Sequence, residues 1–323
     1  SCMGEGISLN ARVKGIVKPD LSDIQTRGSL DADAGEILFD RFYFNLAKNQ
    51  GSTQWEGTYV PSRKAFDFPR LSASLKDIAA LSVKGVVSLA SGSPDVRLSL
   101  NIPRAPVNPL FHHFLLDPFK MERPILTTLA VEGDISGDLD FVSNGVGVSA
   151  KGTIQYQEGR LASEDHGVLF RDIDIRLPVW YQSGTTWPPA EALNGMLDIG
   201  AFHLPLLPEQ ALKLTLQAGP NSISLKGPFP VGLEGGVIDV GAVSCRISEA
   251  AGLLIETSLG FDDFDLGLMV SPHWAREIQG TMNGKLTSVT FQNGRLKTQG
   301  EILAHIFGGK IILSDLGASG ILT

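Results

Sequence analysis

The sequence predicts an all-β protein: a long, curved, mostly antiparallel sheet with one or two short helices. Three observations predict it. Apolar and polar residues alternate over many short runs. Glycine and proline break the chain at close intervals, with 36 Gly and 18 Pro in 323 residues. Apolar stripes at helical spacing are few.

The alternating runs are explicit. "VRLSLNI" (96–102) sets Val96, Leu98, Leu100 and Ile102 against Arg97, Ser99 and Asn101. "DIDIRLPV" (172–179) sets Ile173, Ile175, Leu177 and Val179 against Asp174 and Arg176. "LKLTLQA" (212–218) repeats the pattern with Leu212, Leu214 and Leu216, and "FDLGLMV" (264–270) with Leu266 and Leu268. Successive side chains of a strand point to opposite faces, so each run has one apolar and one polar side. Antiparallel sheet wetted on one side has this signature. Turn pairs separate the runs, as in "SGSPD" (91–95), "SNG" (143–145), "AGPN" (218–221) and "QNG" (292–294); such pairs supply the positive φ of tight hairpins. At typical strand length the chain holds about 18–22 strands, each about 6–8 residues long.

One phrase recurs: "EGRLAS" (158–163) and "NGRLKT" (293–298). Both read as hairpin corners. Gly159 and Gly294 permit the reversal, Arg160 and Arg295 face water, and Leu161 and Leu296 return to the apolar side.

Helices are scarce. "NPLFHHFLLDPF" predicts one over 109–116, with Asn108 as N-cap, Pro109 at the first helical position and Pro118 as the stop. Leu110, Phe111, Phe114 and Leu115 form its apolar stripe. "SPHWAREI" (271–278), capped by Ser271, is a shorter candidate, and "SLKDIAAL" (74–81) leans towards strand. The chain reads as one elongated segment over 1–323, subdivided into N-terminal strands (1–104), the amphipathic helix (105–120) and the remainder (121–323).

Composition excludes several functions. A hydrophobic fraction of 43% argues against disorder, and a net charge of −8 without a long basic run argues against nucleic acid. Two cysteines, Cys2 and Cys245, cannot build a disulfide framework or a zinc ribbon. His112 and His113 are adjacent and point about 100° apart on a helix, a poor joint metal site. "EDH" (164–166) reads as a solvated loop. "FDDFD" (261–265) lacks the glycine and glutamate of a calcium loop and reads as a polar strand face. "GTMNGK" and "FGGK" lack the phosphate-loop pattern, and no G-x-S-x-G elbow is present. Neither an enzyme nor a protein holding a metal or cofactor is expected. No apolar run approaches the ~18 residues of a membrane-spanning helix. The opening "SCMGEGISLN" is polar and strand-like, so the chain reads as a piece of a longer protein with any anchor upstream.

Two short helices cannot cover so many one-sided strands. The apolar face must meet a second sheet, as in a sandwich or barrel, or stay open as a groove that holds something apolar. Periodicity leaves both open. Short, irregular strands without aromatic girdles disfavour an outer-membrane barrel.

Several longer passages carry a resemblance: "VEGDISGDLDF" (131–141), "KGTIQYQEGRLASEDHGVLFRDIDIRLPV" (151–179), "LEGGVIDVGAVSC" (233–245), "TSLGFDDFDLGLM" (257–269) and "IQGTMNGKLTSVTFQNGRLKTQGEILAHIFGGKIILSDL" (278–316). Together they resemble the AsmA-like superfamily of bacterial envelope proteins, with its TamB-type and YdbH-type bridge-like lipid transporters. The match is best from about 125 to 323. The resemblance implies a taco-like or U-shaped β-groove, apolar inside, that carries phospholipid through the periplasm between inner and outer membranes. It implies an N-terminal inner-membrane anchor missing from this chain, and an outer-membrane or envelope protein as partner. The lining would come from Val96, Leu98, Leu100, Ile173, Ile175, Leu177, Leu212, Leu214, Leu216, Leu266 and Leu268. Leu110, Phe111, Phe114 and Leu115 would cap one end. The same resemblance is compatible with a second reading, a non-enzymatic β-sandwich scaffold acting in outer-membrane protein assembly or envelope integrity.

Overall fold

A computed structural model describes the chain except residues 1, 91–92, 184–190, 205–206, 234, 249–251, 269–279 and 320–323. The protein is all-β, 75% strand and 8% helix, built as open antiparallel sheet that does not close into a barrel. Contacts divide it into two compact units: residues 1–165 with 171–190, and 166–170 with 191–323.

The first unit is a meander. Its strands are β1 (Cys2–Val17), β2 (Ile24–Phe39), β3 (Phe42–Asn45), β4 (Gly51–Val60), β5 (Ala65–Leu75), β6 (Ala79–Ser88), β7 (Asp95–Pro106), β8 (Ala130–Asn144), β9 (Gly147–Ser163) and β10 (Val168–Gln182). Consecutive strands pair, except that β2 pairs with both β3 and β4. Short turns, which force antiparallel neighbours, set the order except at the longer connection between β7 and β8. "SLKDIAAL" resolves into the end of β5, a turn at 76–78 and the start of β6.

The second unit contains β11 (Leu193–Leu204), β12 (Leu207–Gly219), β13 (Ser222–Leu225), β14 (Phe229–Leu233), β15 (Gly236–Val240), β16 (Val243–Ser248), β17 (Gly252–Asp265), β18 (Gly280–Gln292), β19 (Arg295–Ile306), β20 (Gly309–Ser314) and β21 (Gly317–Ser319). The long β17 pairs with both β15 and β16 along one side and with β18 along the other. Most of the fully buried apolar side chains among the described residues are here, including a cluster of Phe264, Met282, Leu286 and Ile302.

Several expectations need correction. Many strands are longer than 6–8 residues: β1 and β2 have 16 each and β9 has 17. At ~3.3 Å per residue such strands run about 50–56 Å. The two Gly-Arg-Leu phrases differ. Asn293 (φ 50°) and Gly294 (φ 71°) do form the turn between β18 and β19. Residues 158–163 instead lie inside β9, where Glu158 (φ 52°) and Gly159 form a bulge opposite Gly133. Arg160 then pairs with Glu132 across the strands, with Nη1 2.9 Å from the carboxylate. A bulge absorbs an extra residue without ending the ladder, so its glycine resembles a turn glycine in sequence.

The helix also differs. Residues 107–119 are helical as an α-turn (Val107–Phe111), a wider π-type turn (His112–Leu116) and a second α-turn (Asp117–Phe119). Pro106 occupies the N-cap position, and Asn108 lies inside the first turn, its amide donating to the Val131 carbonyl at 3.2 Å. Pro118 does not stop the helix. The π-type turn precedes it, and wide turns of this kind accommodate a ring that would otherwise meet the carbonyl one turn back. "FDLGLMV" is not one strand, because β17 ends at Asp265 and Leu266–Leu268 form a 3-10 turn. "SPHWAREI" lies outside the described residues.

The bulge at Gly159 is tightly packed. A β-carbon there would collide with the Tyr156 ring and sit 2.9 Å from the Ile173 Cβ. Gly159→Val should therefore lower stability by about 1–3 kcal/mol through overpacking, read as a lower urea midpoint with an unchanged slope.

Candidate functional site

Register decides where the apolar residues meet. In the first unit one cross-strand row runs Val13, Gly28, Trp55, Leu71, Val83, Leu100, Leu139, Gly152, one residue from each of eight strands. The adjacent row runs Arg12, Ser29, Gln54, Ser72, Ser82, Asn101, Asp138, Thr153. The first contains no polar side chain and the second no apolar one. Directly paired residues share a face and successive residues alternate, so along these two rows the sheet is apolar on one face and polar on the other across all eight strands.

The polar face is tied together by side-chain bonds. Ser99 Oγ donates to Asp140 at 2.6 Å, Asn101 Nδ2 to Asp138 at 2.8 Å, and Ser52 and Ser74 hydroxyls meet at 3.0 Å. Val96, Leu98 and Leu100 lie on the apolar face and are only half-buried. Across the described residues, exposed large hydrophobics outnumber buried apolar ones.

Strand β10 continues the pattern. Arg176 borders a cavity of about 780 Å³ on the polar face, and the Trp180 ring carries the Lys151 ammonium at 4.7 Å. Alternation then puts Ile173, Ile175 and Leu177 on the apolar side. Ile173 is buried; Ile175 and Leu177 are half-buried. Near Ile173 the Tyr156 hydroxyl donates to the Glu132 carbonyl at 2.5 Å, and burial raises the phenol above its usual pKa.

The helical segment 107–119 lies in the β7–β8 connection, at the margin that also carries the β2–β3 hairpin and the β5–β6 turn. There Phe114 packs on Phe42 and Phe44 of β3, with ring centroids 6.1 and 5.9 Å apart. The Arg41 guanidinium sits 4.6 Å above the Phe119 ring and 3.2 Å from the Glu122 carboxylate. Leu46, Ile78 and Phe111 are fully buried at this margin. The Leu46 side chain leans over Gly51, beside Ala32 and Leu75. A mostly apolar cavity of about 340 Å³ follows along the face, lined by Leu30, Ala32, Thr53, Ala73, Leu75 and Leu81. Of the predicted capping residues, Phe111 is buried, Leu110 half-buried, and Phe114 and Leu115 are 37% and 50% exposed.

The second unit treats its apolar face differently. Leu212, Leu214 and Leu216 pair with Ile199, Leu197 and Gly195, while Asp198–Lys213 and Asn194–Gln217 pair on the reverse side. Leu214 and Leu216 are 6% exposed. Leu266 packs against the Phe264 cluster. The Leu268 side chain lies outside the described residues. The predicted lining residues therefore differ in burial: on the first unit all but Ile173 are half-buried, and on the second Leu214 and Leu216 are closed off while Leu212 and Leu266 are half-buried. Sequence reading missed Trp55, Leu71, Val83 and Leu139, which complete the apolar row; their own alternating runs were the available signal.

Among the described residues no three His, Cys, Asp or Glu side chains converge as a metal site, and no helix is long and apolar enough to cross a membrane. No family model, no curated protein and no solved structure matches the chain.

Truncating Phe111 to Ala should cost about 3–5 kcal/mol in urea unfolding, as for a fully buried aromatic. Truncating the half-exposed Leu115 should cost no more than about 0.5 kcal/mol.

Proposed function

We propose that this chain is the periplasmic segment of an AsmA-like envelope protein, and that it binds phospholipid acyl chains along the apolar face of its sheet. In this reading it conducts lipid between inner and outer membranes. One observation carries it: the uninterrupted apolar row across eight strands, half-buried and backed by an equally uninterrupted polar row. A single layer with an uncovered apolar face is costly in water at about 25 cal/mol per Å². Acyl chains remove that cost. Strands of 10–17 residues offer about 33–56 Å of apolar length, more than one leaflet of a hydrocarbon core of ~30 Å needs. Each buried methylene contributes about 0.8 kcal/mol without any dedicated polar contact. A lining without hydrogen-bonding anchors holds the chain and still lets it slide. The helical segment at one margin acts as the cap of that face.

A scaffold role is the second reading. The closed packing of Leu214, Leu216 and Phe264 in the second unit favours it there.

Solvent extraction of purified protein, followed by mass spectrometry, tests the first reading; co-purified phospholipid is expected, and lipid-free protein sinks it. Leu98→Glu should leave the fold intact within about 1–2 kcal/mol, because its site is half-open, and should abolish lipid recovery. Leu214→Glu should unfold the second unit, because an unpaired charge at a buried site costs several kcal/mol. Equal effects of the two substitutions on folding would favour the scaffold.

A further inference from the structure

The polar face carries a feature that lipid-chain binding does not use. Next to the polar row described above, a second row runs Lys14, Arg27, Glu56, Arg70 across β1, β2, β4 and β5. Lys14 and Arg27 are direct cross-strand partners of like charge, which is destabilising unless something negative lies between or beside them. The carboxylate of this row, Glu56, is engaged by Arg27 at 2.7 Å. Arg12 adds a fourth cation from the neighbouring row. Among the described residues Arg12, Lys14 and Arg70 make no ion pair. Asp31 sits one row beyond Arg12, opposite Asn10 rather than opposite a cation.

These groups wall a real concavity. A cavity of about 450 Å³ lies between the two rows, bordered by Arg12, Lys14, Arg27, Gln54, Glu56 and Arg70. A second, of about 420 Å³, continues on the far side of Lys14, Arg27 and Glu56. Four cations against one carboxylate is a local excess in a chain whose net charge is −8. Three are guanidinium forks, which match the oxygens of a phosphate bidentately.

We propose that this basic ladder on β1, β2, β4 and β5 is a binding site for a phosphate group, carried by a soluble phosphate ester or by a lipid headgroup. The phosphate would lie between Lys14 and Arg70, over Arg27, and relieve the like-charge opposition that the register imposes. The site is on the face opposite the apolar row, so it stands or falls independently of acyl-chain binding.

The test uses the whole chain. Inorganic phosphate and glycerol phosphate are titrated by calorimetry, and flotation is run with phosphatidylcholine vesicles with and without phosphatidylglycerol. Saturable binding of the soluble phosphates identifies a small ester as the source. Binding only to the phosphatidylglycerol vesicles identifies the headgroup. In either case Lys14→Gln and Arg70→Gln should each weaken binding roughly fivefold, and Arg12→Gln/Lys14→Gln/Arg70→Gln should abolish it with no change in the urea midpoint beyond that of a surface substitution. Glu56→Gln should strengthen binding several-fold by freeing Arg27, which a merely structural role for these residues would not produce. No binding to either probe, or binding unchanged in the triple variant, overturns the proposal. Co-purification of acyl lipid would be unaffected by that result.

Discussion

Cross-strand register is the constraint on which the rest of the first unit depends. Side chains alternate with a period of two, so slipping one strand by one residue would carry its whole apolar set through to the polar face. Eight strands keep Val13, Gly28, Trp55, Leu71, Val83, Leu100, Leu139 and Gly152 in one line. They do so although bulges interrupt most of the ladders, as between Glu56 and Thr58 or between Phe68 and Leu71. Bulges also raise the local twist, and so let long strands bend without losing their two-sidedness. Paired polar side chains on the reverse face, such as Asn101 with Asp138, would be lost by the same slip and help hold the line.

Strand character and the sense of each face were legible because alternation is a local property. Val96, Leu98 and Leu100 were placed on one side from seven residues of sequence, and they lie there. Strand length was not legible. Gly159 reads as a hairpin corner, yet it lies within a strand. A glycine that admits a bulge and one that admits a reversal are chosen for the same conformational freedom. Only the partner strand tells them apart. The helix was legible too, but its limits were not, for a related reason. A proline at 118 conflicts with a regular α-helix, the π-type turn before it removes the conflict, and no residue in 112–116 announces that turn.

The two units put the same pattern to different uses. In the second, Leu214, Leu216, Phe264 and Ile302 are withdrawn from water. In the first, residues of equal hydrophobicity at equivalent alternating positions remain half in contact with it. Alternation alone cannot distinguish these outcomes, because it fixes which way a side chain points and not what it meets. This is why Leu98 and Leu214, indistinguishable in sequence, differ in the structure.

A meander in which each strand touches only its neighbours behaves as a one-dimensional chain of elements. Its free energy is approximately a sum of strand and nearest-interface terms. In the first unit Leu46, Ile78 and Phe111 are fully buried at one margin, and Arg104 of β7 reaches both Asp134 of β8 and Glu158 of β9. Loss of order there would travel inward from β1, whose described side chains are all exposed, one interface at a time. The helical segment, which joins β8 to β3, is the contact that short-circuits this linear order. It therefore adds cooperativity to a sheet whose strands otherwise meet mainly their neighbours.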